Sequence, residues 1–174
     1  MRKKRLLQLT AALLCAVILS ACGGAPADAD YTCTVSISCA TILDNMDQCA
    51  ESKKELVPAD GVILPPTEVA FAEGESAFDV LQRVCRDNGI HLESKFTPVY
   101  SSAYIQGIHN IYEFDVGKLS GWMYAVNDWF PNYGCSLYQV QDGDVIRWVY
   151  TCDLGADVGG GQAAGDGQQE GAST

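Results

Sequence analysis

Eight cysteines, six of them beyond Cys15 and Cys22, two histidines, a surplus of carboxylates and one dense run of aromatic residues are the groups in this 174-residue chain with chemistry to offer. Each chemistry makes a demand on spacing. A cysteine nucleophile needs a reduced thiol beside a base, and a structural zinc needs four thiolate or imidazole ligands at close spacing. The chain has no C-x-x-C and only His91 and His109, so neither arrangement is assembled. Carboxylates are so numerous, 22 against 11 cations, that no acid/base couple stands out. Asp142-Gly143-Asp144 resembles a fragment of a calcium loop. It lacks the EF-hand spacing and terminal glutamate and reads as a turn. No glycine-rich phosphate loop follows a strand. The residues predict no enzyme, no required cofactor and no metal site.

The aromatic run remains. SGWMYAVNDWFPNYGCS, Ser120 to Ser136, holds Trp122, Tyr124, Trp129, Phe130 and Tyr133. Alternation over Trp122–Val126 puts Trp122, Tyr124 and Val126 on one face of a strand, with Met123 and Ala125 on the other. Both faces are apolar, so this strand either is central, the reading taken for Trp122 and Tyr124, or exposes an aromatic face. Asn127-Asp128 reads as a turn, and Trp129 to Gly134 as a loop with three aromatics and two polar rim positions, Asn127 and Asn132. Loops run over surfaces, and rigid aromatic rings offer apolar contact area at low entropic cost. The candidate ligand-binding residues are therefore Trp122, Tyr124, Asn127, Trp129, Phe130, Asn132 and Tyr133, with the loop aromatics expected to touch ligand most. The competing reading is that these rings cap the open end of a small sheet.

The elements that must position them are partly legible. Thr32–Cys39 alternates as a half-buried strand. Ala40–Lys54 contains an untidy helical pattern, and Pro65-Pro66 reads as a turn entering a short strand at Thr67–Ala72. Ser76 with Asp79 forms a capping-box signature. Phe78, Leu81, Val84 and Cys85 then recur on one helical face, with Gln82, Arg83, Arg86 and Asp87 mostly opposite, and Asn88-Gly89 ends the helix. Strands are expected at Ile90–Phe96, around Ile111–Phe114, at Trp122–Val126 and at Val145–Cys152. In the last, Ile146, Trp148, Tyr150 and Cys152 share a face. One helix among several strands predicts an α+β domain, specifically a β-grasp-like mixed sheet curled around that helix.

The ends of the chain set its compartment. Arg2, Lys3, Lys4 and Arg5 precede an apolar run, Leu6–Leu19, too short to span a bilayer comfortably. Leu19-Ser20-Ala21-Cys22 resembles a bacterial lipobox, which predicts a signal peptide over 1–22, lipidation at Cys22, and a lipid anchor on the extracytoplasmic face of the cell membrane. Residues 23–30 (GGAPADAD) read as a flexible tether. Residues 155–174 carry little apolar surface to bury and read as a disordered tail, leaving 31–154 as the folded domain. Loss of the four leader cations takes eleven positive residues to seven, against 22 negative ones, for a net charge of −15. That excludes nucleic acid as a natural partner and leaves the lipid as the only membrane contact.

An even set of cysteines outside the cytoplasm predicts at least two disulfides among Cys33, Cys39, Cys49, Cys85, Cys135 and Cys152. Cys33 and Cys39 bound a strand roughly 20 Å long, beyond the about 7 Å that a bridge tolerates. Of the fifteen pairings, the three containing Cys33–Cys39 drop out; the rest stay open.

Gly74-Glu75-Ser76 leading into FDVLQRVCRDNGI, then SGWMYAVN, PNYGCS and DGDVIRWVYTCDLG, resemble the bacterial transcobalamin-like C-terminal domain family, otherwise carried as a domain of unknown function. The resemblance covers about Cys33 to Gly155. It extends distantly to the C-terminal β-domain of transcobalamin and intrinsic factor, and implies a soluble-ligand-binding β-grasp. It also implies a surface facing cobalamin or another corrinoid, formed by Gly121-Trp122-Met123-Tyr124 and Pro131-Asn132-Tyr133-Gly134. Nothing in this chain supplies the carriers' large helical domain, so neither His91 nor His109 takes a cobalt-ligating role. Relatives often carry Asn-Gly where this chain has Asn127-Asp128, and a cysteine where it has Val116. The latter implies another partner for Cys135, such as Cys152. Two functions follow. One is a cell-surface lipoprotein that binds a corrinoid-like small molecule and passes it to an uptake transporter or partner protein. The other is a non-enzymatic protein- or glycan-interaction module.

Overall fold

The computed structural model describes Pro26 and residues 29–160. The signal peptide, Cys22, most of the tether and the tail beyond Gly160 lie outside the described residues. The elements run β1 (Tyr31–Ser38), β2 (Val62–Phe71), α1 (Ala77–Asp87), β3 (Leu92–Thr97), β4 (Ser102–Ile108), β5 (Ile111–Tyr112), β6 (Gly121–Val126) and β7 (Val145–Thr151). Short 3-10 turns occupy Ala40–Asn45, Glu51–Leu56, Pro98–Tyr100 and Ala156–Val158. The architecture is α+β, with two sheets and one α-helix among the described residues. The first sheet has the order β2-β1-β7-β6 and the second β3-β4-β5. In the first, β1 pairs antiparallel with β2 and parallel with β7, and β6 pairs antiparallel with β7.

The helix forms where its caps place it. The Ser76 hydroxyl accepts the Asp79 N–H at 3.2 Å while the Asp79 carboxylate accepts the Ser76 N–H at 2.9 Å, a reciprocal capping box. Gly89, with φ +65°, turns the chain out. Val80, Leu81, Val84 and Cys85 bury against Val35, Ile37, Ile146, Trp148 and Tyr150 from the first sheet, in one cluster with Ile105, Ile108 and Ile111 from the second region. Arg83, expected on the solvent side, is buried. Its guanidinium forms an ion pair with Glu75 and donates to the Ala70 carbonyl at 2.8 Å, so both its charge and its donors are matched.

Four expectations are corrected by the backbone. The untidy pattern of 40–54 forms two 3-10 turns rather than an α-helix. Pro65 and Pro66 do not precede β2 but lie within it. This is tolerated because β2 is an edge strand and its register against β1 slips between Val35 and Ile37. β4, at SAYIQGI, is the middle strand of the second sheet. Its alanine, glutamine and glycine give little strand signal, and a register shift opposite Glu93–Ser94 disrupts the alternation. Finally, β6 is an edge strand and not a central one.

The apolar second face of β6 is covered by other means. Ala125, Phe130 and Val149 form a small cluster with Met123 and Val158. Residues 155–160, grouped with the tail by composition, fold back over it: Gly160 N–H donates to the Gly155 carbonyl at 2.7 Å. A Cβ at Gly155 would meet the Met123 sulfur at 2.9 Å, and one at Gly160 the Phe130 ring at 3.0 Å. The folded chain thus runs six residues past the expected boundary.

All six described cysteines are unbridged thiols, so the expected disulfides are not formed in this structure. β1 is a strand between Cys33 and Cys39, as the exclusion of that pair required.

Candidate functional site

The aromatic run divides between structure and surface. Trp122 and Tyr124 are each 9% exposed. The Trp122 indole donates to the Ile111 carbonyl at 2.8 Å and meets the Tyr150 ring edge-on at 5.3 Å. Tyr124 stacks on Trp148 at 5.5 Å and donates its hydroxyl to the Tyr133 carbonyl at 2.9 Å. Burial pushes the Tyr124 phenol far above its ordinary value. Both rings support the site from beneath and do not present a face to solvent.

Asn127 and Asp128 have φ of +50° and +67°, and Val126 and Trp129 exchange both backbone hydrogen bonds at 2.8 and 2.9 Å. This is the two-residue hairpin turn that asparagine and aspartate tolerate. The Asn127 carboxamide donates to Asp144 at 2.8 Å and accepts the Val145 N–H at 2.9 Å. Asn127 therefore locks the turn onto β7. Asp144 also accepts the Tyr138 hydroxyl at 2.9 Å and the Gln141 N–H at 2.8 Å. A buried carboxylate so fully paired organises the turn before β7. Asp142 accepts the Thr32 N–H at 2.9 Å, consistent with the turn reading of Asp142-Gly143-Asp144.

Beyond the turn, Trp129 is 49% exposed and Tyr133 40%, their rings 5.9 Å apart and steeply tilted. Phe130, expected beside them, is buried in the cluster under β6. The tight turn reverses the chain so that successive residues point to opposite sides of the sheet. Asn132 is exposed at the loop tip.

The loop is pinned along its length. Besides the Tyr124 bond to Tyr133, the Ser136 N–H donates to Ser102 Oγ at 3.1 Å and the Ala103 N–H to Ser136 Oγ at 3.1 Å. This reciprocal clasp brings Gly134 so close that a Cβ there would lie 2.0 Å from Ser102 Oγ. A groove of about 200 Å³ results, walled by Pro131–Gly134 on one side and by Thr97, Tyr100 and Ser102–Tyr104 on the other.

Tyr100 and Tyr104 are the residues that sequence reasoning missed. Both are well exposed, and Tyr104 donates its hydroxyl to Glu113. Burial, then Glu113, pushes that phenol up to about 12. The signal was the TPVYSSAY stretch, two tyrosines around a proline- and serine-marked turn, but only β4 brings it against the loop.

A second hollow, of about 550 Å³, is lined by Tyr31, Phe71, Glu73, Gln139, Gln141 and Asp142 among others. Among the described residues, no group of three His, Cys, Asp or Glu is placed to hold a metal ion. No described helix is long and apolar enough to cross a membrane.

Residues 74–152 match the family model of a domain of unknown function, DUF4430. The span opens at the glycine before the helix cap and closes at the end of β7, so it takes in the helix, the second sheet and the aromatic run. Among solved structures, the chain is similar to haptocorrin in complex with Cbi, with a TM-score of 0.52 at 12% identity over 71% of this chain. It spans a quarter, 25%, of the haptocorrin chain, and at this identity the likeness is one of fold. A candidate metal-binding protein from Ruminococcus gnavus ATCC 29149 aligns at a TM-score of 0.42 and 15% identity, over 70% of this chain and 97% of that one. No curated protein matches the chain.

Proposed function

We propose that this is a non-enzymatic binding module that takes a flat, amide-edged corrinoid such as cobalamin on the surface made by Tyr100, Tyr104, Trp129 and Tyr133. The observation that carries the reading is the half-exposed Trp129–Tyr133 pair at a rigidly pinned groove. Exposed rings held in place before binding lose little entropy on contact. The fold likeness to haptocorrin, solved with Cbi, supports the same ligand class. The strand order β2-β1-β7-β6 with one helix against it supports a β-grasp reading of the first sheet.

The groove is smaller than the roughly 300–1,000 Å³ of an enclosing small-molecule pocket. It covers one face of such a ligand and leaves the other for an uptake transporter or partner protein. Lipidation at Cys22 would hold the module at the extracytoplasmic face of the membrane, and an unmodified Cys22 in membrane-fraction mass spectrometry would remove that part.

Titration with cobalamin and cobinamide, followed by calorimetry and tryptophan fluorescence, tests the ligand. Trp129 is the exposed indole, while Trp122 and Trp148 are buried, so binding should quench a signal that Trp129→Phe removes. No heat and no quenching at millimolar ligand would refute the reading. A second reading, a protein- or glycan-interaction module, is favoured by the hairpin tip, where Phe96, Val99 and Tyr100 stand in solvent. Capture of a cell-envelope or host component that depends on these three, without corrinoid binding, would replace the first.

A further inference from the structure

The fold sorts the six cysteines into two groups. Cys33, Cys85 and Cys135 stand apart. Cys33 lies at the start of β1 near Arg83, Asp144 and Glu75. Cys85 is enclosed on the apolar face of α1. Cys135 approaches the helix start, its carbonyl accepting the Phe78 N–H at 3.3 Å and its thiol 3.6 Å from the Ala103 carbonyl.

Cys39, Cys49 and Cys152 converge. β1 and β7 run parallel with Ser38 opposite Val149. Cys39 therefore continues β1 beside Tyr150, and Cys152 follows Tyr150 on the same core-facing side. Thr41 joins the two strand ends: its hydroxyl donates to the Tyr150 carbonyl and lies 3.8 Å from Cys152 Sγ. Cys49 closes the turn that opens at Cys39 and is buried in the same core cluster. Cys152 packs against that cluster from its edge. Cys39 and Cys49 are buried, and Cys152 is the one thiol of the six that reaches partly into solvent.

We propose that Cys39, Cys49 and Cys152 form a thiol trio that takes a single disulfide, opened by Cys152, while Cys33, Cys85 and Cys135 remain thiols. The oxidant is a small or protein disulfide, RSSR. The Cys152 thiolate attacks one sulfur of RSSR, forming Cys152–S–S–R and releasing RS⁻. The thiolate of Cys39 or Cys49 then attacks Cys152 Sγ, closing the internal bridge and releasing the second RS⁻. Two thiols are oxidised, one disulfide is reduced, and the two protons pass to solvent. Burial holds Cys39 up to about 12, which disfavours it as the first attacker because the thiolate is the nucleophile. The third thiol stays beside the new bridge and can exchange with it at Cys152 Sγ, trading Cys39 for Cys49 as the partner of Cys152. This inference is independent of the ligand reading.

The test uses the full chain, refolded in a buffer of oxidised and reduced glutathione. It is then denatured, alkylated without reductant and digested at lysine, arginine and aspartate. Cys33→Ser and Cys39→Ser chains assign the peptide those two residues share. Of Cys33, Cys39, Cys49, Cys85, Cys135 and Cys152, four should carry the alkyl label, and one linked peptide should join Cys152 to Cys39 or Cys49. A chain carrying Cys33→Ser, Cys85→Ser and Cys135→Ser should form the same bridge, and Cys152→Ser should form none. A bridge using Cys33, Cys85 or Cys135, a second bridge, a Cys39–Cys49 bridge, or six labelled thiols would each overturn the assignment.

Discussion

Replacing Trp122 with alanine and, separately, Trp129 with alanine separates the structural half of the aromatic run from the binding half. Trp122 is nearly enclosed, packs edge-on against Tyr150 and donates its indole N–H to the Ile111 carbonyl. Truncating such a ring costs about 3–5 kcal/mol through lost transfer energy and the cavity left behind. Loss of the indole hydrogen bond to the Ile111 carbonyl is part of that cost, at about 1 kcal/mol, and Trp122→Phe should lose it together with a smaller cavity term. Trp129 makes one aromatic contact, with Tyr133, worth about 1 kcal/mol at an exposed site. Its backbone bonds to Val126 do not involve the side chain. Urea unfolding followed by circular dichroism should therefore lower the midpoint steeply for Trp122→Ala and little for Trp129→Ala. Corrinoid binding should follow the opposite order, lost in Trp129→Ala and kept by folded Trp122→Phe. A domain typically has only about 5–15 kcal/mol in hand, so the Trp122→Ala chain is best measured with a stabilising osmolyte. If the two alanine variants lose equal stability, the division of the run is wrong.

Gly134→Ala should cost about 2–4 kcal/mol, because a Cβ 2.2 Å from Ser102 Cβ forces overpacking and opens the Ser102–Ser136 clasp. Adding Ser102→Gly should recover the overpacking part, and unchanged stability in the single variant would refute the close approach. Glu75→Gln should destabilise by about 3 kcal/mol, since it leaves the buried Arg83 guanidinium without its counter-charge; a melting curve at neutral pH reads it. Raised thiol and phenol pKa values mean the folded state holds protons that the unfolded chain has lost. The contribution of Cys33 and Cys135, each pushed up to about 11, and of Tyr104, pushed up to about 12, is full below pH 9 for the thiols and below pH 10 for the phenol. It is lost as pH rises through the folded values. Melting temperature should fall between pH 9 and 12, and a flat profile would contradict the burial of the two thiols. A chain ending at Leu154 should be destabilised, because Met123 and Phe130 lose the cover of residues 155–160; the urea midpoint relative to the full chain checks it.

Local rules were enough where a few neighbouring residues decide the outcome. The capping box at Ser76, the helix exit at Asn88-Gly89, the Asn127-Asp128 turn and the alternation of β1, β6 and β7 could all be read directly, and so could the α+β class. These features depend on backbone dihedrals and on side chains within four residues of each other. Sequence also showed that the start of β1 and its end could not be bridged.

Tertiary structure decided everything that depends on what lies across from a residue. Whether Pro65-Pro66 breaks a strand depends on β2 being at an edge. Whether Arg83 is exposed depends on Glu75 and the Ala70 carbonyl reaching it. Phe130 left the candidate site because the turn before it sends the ring to the far face, where residues 155–160 close over it. Tyr100 and Tyr104 joined because β4, a strand with almost no local signal, docks through Ser102 onto Gly134 and Ser136. Burial and cross-strand contact are properties of pairs distant in sequence. Periodicity can say that a side chain has an apolar face, but only the packed fold says what covers it.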